Sequence, residues 1–196
     1  AEPIGEPWTI TGAERHLVQT IGQRPALEVL VETLKSLPPE DQHRAQRNLL
    51  VGLGMDEYRD EFRRGDFLIR NLLGADPNSG ALRVAASLED RRVVQFHLRD
   101  AAAAAADLEG RLARYRDEHG SGAAGALLFS CLGRGRGLYG VPDHDSDAFR
   151  RAFGGVPIGG FFCNGEIGPV EQRPFLHGYT SAFGLFRSRS NGEGRS

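Results

Sequence analysis

Apolar positions in this chain change period several times, and each change predicts an element. ERHLVQTI (14–21) reads as a strand closed by a turn at Gly22-Gln23. Pro25 suits a first helical turn, and Leu27, Leu30, Val31 and Leu34 follow as one helical stripe until Pro38-Pro39 ends it. Four strand-like runs come next: LLVGLG (49–54), DFLIRNLL (66–73), ALRVAAS (81–87) and RVVQFHL (92–98). Turn residues at Asp76-Pro77-Asn78-Ser79-Gly80 and at Glu89-Asp90-Arg91 separate the last three and predict an antiparallel meander. Asp100 is the expected cap of a helix that opens on six alanines, with Ala101, Ala105, Leu108, Leu112 and Tyr115 facing a core and Gly120 and Gly122 ending it. A strand at 125–131, a glycine loop, a short helix from about 145 to 153 and a strand at 158–163 follow. FLHGYTSAFGLF (175–186) reads as a last strand, its odd positions placing His177 and Tyr179 side by side. Residues 188–196 read as a disordered polar tail.

These elements predict an α+β fold: a mixed, largely antiparallel sheet with packed helices, and room for two sub-lobes of about 1–99 and 100–187. At 196 residues either arrangement can bury a core. A net charge of −2 without a basic run argues against a nucleic-acid partner. No apolar stretch approaches the roughly 20 residues of a membrane span, and AEPIGEPWTI is no signal peptide. Cys131 and Cys163 are too few for a disulfide framework, so a cytoplasmic location with free thiols is expected. A start at Ala1 with Trp8 close behind suggests a piece of something longer.

Three motifs invite chemistry. Gly135-x-Gly137-x-x-Gly140 has dinucleotide-loop spacing, but Pro142 and DHDSD intervene where a helix would have to open, so no cofactor is expected. Asp143, Asp145 and Asp147 alternate as in a calcium loop, yet Ala148 and Gly154 stand where glycine and glutamate are required; no metal is assigned. Asp145 or Ser146 is instead expected to cap the next helix. Asn164-Gly165, between FFC and EIG, has the sequence of a two-residue hairpin turn. Glu166 then begins a return strand in apolar company, and Arg134 or Arg136 is its expected partner.

FSCLGRG (129–135), DSDAFRRAFGGVPIGGFFCNGEIGPV (145–170) and LHGYTSAFGLF (176–186) resemble the C-terminal domain of the FIST family, named for F-box and intracellular signal transduction. IGEPWTITGAERHLVQTIGQRPALEVL (4–30) is similar to that domain's opening segment, so the resemblance reaches from near the start to about residue 187. The family commonly has an aspartate or asparagine where this chain has Arg15-His16 and Thr20-Ile21. The resemblance implies a sensory domain of signalling proteins, normally following an N-terminal FIST domain, with small ligands such as amino acids proposed for it. In eukaryotes a similar domain lies behind an F-box and engages protein partners. No enzyme activity is implied.

Three functions are therefore in view. A sensory module would bind an amino acid or small carboxylate, with Arg134 or Arg136 on the acid group, Glu166 or His177 on the amine, Phe161 or Tyr179 as wall, and Cys131 and Asn164 beside them. A protein-interaction module, acting with an N-terminal FIST domain or a separate partner, would show an exposed apolar patch instead. A cysteine enzyme would need Cys131, His177 and Glu166 within reach of one another. Cys131 and Cys163, on neighbouring strands, could also pair under oxidation. The first reading is preferred, with no catalytic residue.

Overall fold

The computed structural model describes residues 1–55, 62, 65–88, 92–170 and 173–188. The turn expected at Glu89-Asp90-Arg91 and all of the expected tail but Ser188 lie outside the described residues. The chain forms two compact units, Ala1–Asp100 and Ala101–Ser196.

In the first unit, β1 (Glu2–Glu14) turns at Arg15-His16 into β2 (Leu17–Ile21), so the run expected as one strand is a hairpin. Arg15 takes a positive φ of 54°, and that reversal carries no glycine to announce it. Gly22 and Gln23, both at positive φ, make the expected turn into the short β3 (Arg24–Pro25). Helix α1 (Ala26–Lys35) buries Ala26, Val29 and Leu30, while Val31 stays 37% exposed; the apolar stripe is rotated from the expected one. This helix ends before Pro38-Pro39 as expected, and Pro39 then opens an unexpected α2 (Pro39–Asn48), because proline is tolerated where the first N–H groups have no helical partner. The polar sequence PEDQHRAQRN offers only Ala45 to the core, so apolar periodicity could not reveal it.

Strands β4 (Leu49–Gly54), β5 (Phe67–Ala75), β6 (Leu82–Val84) and β7 (Val93–Leu98) occupy the four expected runs. The first three form a meander, but β7 returns to the far side of β4 and pairs with β1. Because β1 also pairs with β2, and β2 with β6, the antiparallel sheet closes on itself. Bulges in β1 between Ile4 and Trp8 and after Ile10 bend that strand from one partner to the other. Closure removes the open edges, and Ile10, Val18, Val51, Leu53, Val84, Val94 and Phe96 fill the core with residues from α1.

The second unit begins with α3 (Ala101–His119), which buries Ala103, Leu108 and Leu112. Strand β8 (Gly125–Cys131), the four-residue α4 (Arg136–Tyr139) and α5 (His144–Phe153) lead to β9 (Ile158–Cys163), which lies parallel to β8. β10 (Glu166–Val170) pairs with β11 (Arg173–His177), and β12 (Ser181–Phe186) lies antiparallel to β8. Asn164-Gly165 is thus no hairpin turn: β9 gives its pairing to β8, and the chain leaves that sheet at Gly165 to build another with β11. The expected single strand at 175–186 is broken at Tyr179, which has a positive φ of 60°. Helices α3 and α5 share a core of Leu108, Leu112, Phe149 and Phe153 with Ala126, Phe183 and Leu185 from one sheet face. The whole is the expected α+β class, largely antiparallel with one parallel pair.

Candidate functional site

The junction after β8 is organised by a buried arginine. Arg134 and Asp145 are only 6% and 5% exposed. Arg134 Nε and Nη2 fork onto the two carboxylate oxygens of Asp145 at 2.7 and 2.9 Å. Its Nη1 donates to the Tyr179 carbonyl at 3.1 Å and Nη2 also to the Tyr139 hydroxyl at 2.5 Å. Asp145 further accepts from Ser181 Oγ at 2.5 Å and Ser130 Oγ at 3.0 Å. One ion pair thus ties the glycine loop, α5, β8 and the start of β12 together. Burial alone would raise the Asp145 carboxyl, but the Arg134 hydrogen bonds and charge, helped by the two serines, hold it down at about 2.

This replaces two expectations. Arg134 pairs with Asp145 rather than Glu166, and Asp145 does not cap α5; the N-cap is Asp143, in a left-handed conformation and without a side-chain cap bond. Asp145, Ala148 and Phe149 are spaced i, i+3 and i+4, which puts the carboxylate on the buried face of α5. The same phase was readable in Ser130 after Ala126 and Leu128, and in Ser181 before Phe183 and Leu185. Three polar groups at inward positions were the signal for a shared partner.

Tyr139 shields the pair on the other side. Its ring lies 5.4 Å from the Arg134 guanidinium and stacks on His144 at 3.6 Å between centroids and 9° between planes. His144 Nδ1 stands 3.3 Å from Asp145 Oδ1, which fixes the imidazole from its second side. Tyr139→Phe is expected to cost about 1.5 kcal/mol in urea unfolding, the scale of one hydrogen bond to a charged group; a change below about 0.5 kcal/mol would discount the hydroxyl's part in the clamp.

Against this clamp opens a cavity of about 480 Å³. Leu128, Pro142, Ile158 and Phe162 provide apolar wall, and Arg136, Asp143, His144 and Arg150 provide charge and hydrogen-bonding groups. Arg150 already pairs with Asp147 at 2.8 Å. The side chain of Arg136, exposed on α4, has no hydrogen-bond or ion-pair partner among the described residues. Gly135 makes this geometry possible: its φ is +58°, and a Cβ there would stand 3.1 Å from the Phe162 ring. Of the eight expected site residues, Arg136 and Phe161 line the cavity, and Arg134 braces it from behind.

The others lie elsewhere. Tyr179 contributes its backbone carbonyl to Arg134. Glu166, 2% exposed, accepts from Thr180 Oγ1 at 2.8 Å, from the Thr180 N–H at 3.3 Å and from Cys163 Sγ at 3.4 Å. Burial and the Glu166 carboxylate together push the Cys163 thiol up, away from reactivity. His177 faces Glu166 in register across β10 and β11, yet its Nε2 donates to the Gly168 carbonyl at 3.0 Å. Cys131 is buried at the end of β8, and among the described residues no hydrogen bond joins it to His177. Asn164 is exposed at the corner between the sheets. Among the described residues no group of three or more potential metal ligands gathers, and no helix is long and apolar enough to cross a membrane.

The FIST C domain family model matches residues 26–169, which include the glycine loop, the Arg134–Asp145 pair and the cavity-lining residues. The chain belongs to the FIST C domain family. It is 44% identical over 184 residues to the Mycobacterium tuberculosis uncharacterized protein Rv0628c, covering 94% of this chain and 48% of that one. A Mycobacterium bovis protein, Mb0898c, is 42% identical over the same length. Human F-box only protein 22 is 50% identical over 81 residues, 33% of this chain and 20% of that protein. This FIST C chain therefore spans about half the length of its mycobacterial relatives, and its family is one associated with signal transduction.

Proposed function

We propose that this FIST C domain is a small-ligand-binding sensory domain whose ligand is an amino acid or a similar small carboxylate, and that it catalyses no reaction. The observation that carries the reading is the unpaired Arg136 beside an apolar wall in a cavity of ligand size. A guanidinium matches a carboxylate in shape and charge. Asp143, on the same cavity, would meet an ammonium group, so a zwitterion suits the pair better than a simple acid. Phe162, Ile158 and Leu128 would cover the ligand's apolar part. Arg134 holds the site without lining it, and Asp145, on the cavity wall, is already satisfied by Arg134 and two serine hydroxyls.

A thermal-shift screen of amino acids and small carboxylic acids tests this. A cognate ligand at 100 times its Kd should stabilise the native state by about 2.7 kcal/mol. Arg136→Ala should abolish that shift while leaving the unliganded melting temperature within a degree or so, since Arg136 is exposed. A parent that no such compound stabilises, or an Arg136→Ala variant that responds unchanged, would remove the reading.

A further inference from the structure

The sheet of the second unit is finished on one side only. The face bearing Ala126, Leu128, Ser130, Phe183 and Leu185 carries α3, α5 and the clamp. Strand alternation puts Leu127 and Phe129 of β8, Phe161 of β9 and Phe186 of β12 on the opposite face, with glycine or alanine between them. Leu127 is 40% exposed, Phe161 63% and Phe186 56%. Apart from Cys131 and Cys163 at one end, near β10, that face bears no polar side chain. A sheet containing a parallel pair and apolar on both faces is ordinarily covered on both.

Size decides between possible covers. Three strands about 4.8 Å apart and six residues long at about 3.3 Å each present roughly 300 Å². A freely diffusing partner, a second copy included, needs about 800 Å² on each side for a stable complex. A domain tethered on the same polypeptide does not, because its effective concentration reaches the millimolar range. The mycobacterial relatives carry more than half of their length outside the region that this chain matches.

We propose that this bare face is an interdomain seat, and that its occupant is the domain corresponding to the unmatched half of those relatives, laid on Leu127, Phe129, Phe161 and Phe186 through an apolar face of its own. Such packing would bring the second domain to the back of the strands whose front holds the ligand cavity.

Because a face this small sustains only weak contact without a tether, the test titrates the unmatched half of Rv0628c, produced separately as probe, to millimolar concentration against the full chain, with binding followed by NMR chemical shifts. Leu127→Asp and Phe186→Asp are suitable variants because both side chains are exposed and neither lines the cavity. The probe is expected to bind the parent and to bind each variant at least tenfold more weakly, with circular dichroism and melting temperature of the variants unchanged. Failure of the probe to bind, or equal binding to parent and variants, would overturn the proposal. So would a stable dimer of the chain alone, seen by light scattering, that Leu127→Asp dissolves; the occupant would then be a second copy.

Discussion

Arg134→Ala is expected to lower the unfolding free energy by about 3–5 kcal/mol, the usual cost of stranding one member of a buried ion pair. Truncation leaves the Asp145 carboxylate 5% exposed with only Ser130, Ser181 and His144 to satisfy it. It also removes the Arg134 Nη1 donor from the Tyr179 carbonyl, at the positive-φ residue where the chain turns into β12. Urea denaturation at pH 7 measures the loss; a value under 1 kcal/mol would mean that the loop keeps its shape without the arginine. The double variant Arg134→Met, Asp145→Leu should recover part of it, because two apolar groups need no partner.

Acid separates the charge from the packing. The folded Asp145 carboxyl sits near 2, below its ordinary value near 4. The unfolded state therefore binds the proton first, and the clamp's contribution, complete above about pH 4, fades as pH falls towards 2. In Arg134→Ala that segment of the acid dependence should flatten. Because Arg134 touches no ligand in this geometry, its variant should still bind whatever Arg136 recognises once corrected for the unfolded fraction.

Elements whose burial matched their apolar period were legible from the sequence. LLVGLG and RVVQFHL became β4 and β7 at nearly the expected bounds, because each is a short apolar run with both faces buried. Pairing was not legible: nothing local to β7 says that it lies between β4 and β1 rather than beside β6, since closure depends on bulges in β1. Asn164-Gly165 misled for a related reason. Its local preference for a hairpin was overridden by the parallel pairing of β9 with β8, a contact between residues some thirty positions apart. In the site, Arg136 and Phe161 could be chosen by residue type near a glycine loop. Arg134's true partner required the phase of a helix whose polar start masked it, and Glu166 attracted attention as a lone acid although three donors from nearby chain satisfy it.

Stability should also fall by about 3 kcal/mol between pH 6.5 and pH 4 through one residue of the first unit, His97. It stands on β7 beside Leu50 of β4, on the face opposite Val94, Phe96 and Leu98, and is 4% exposed. Neither ring nitrogen has a hydrogen-bond partner among the described residues. Gly52 makes room for the imidazole, since a Cβ there would stand 2.4 Å from Nε2, and the Phe67 ring packs edge-on to it at 5.2 Å. Burial pushes the His97 pKa down to about 4, against about 6.5 when unfolded. Between those values the unfolded chain binds a proton that the folded chain refuses, so stability rises with pH through the window and is constant above it. The gap between those two values, at about 1.36 kcal/mol for each step of pH, sets the magnitude. His97→Leu removes the titration and the unsatisfied nitrogens together, so it should match or exceed the parent at pH 7 and gain about 2 kcal/mol on it at pH 5. Guanidinium denaturation of both proteins at the two pH values isolates this residue, because the carboxylates they share cancel in the difference. A difference between them that does not change with pH would show that the imidazole ionises in place, reached by water through a route that the closed sheet does not display.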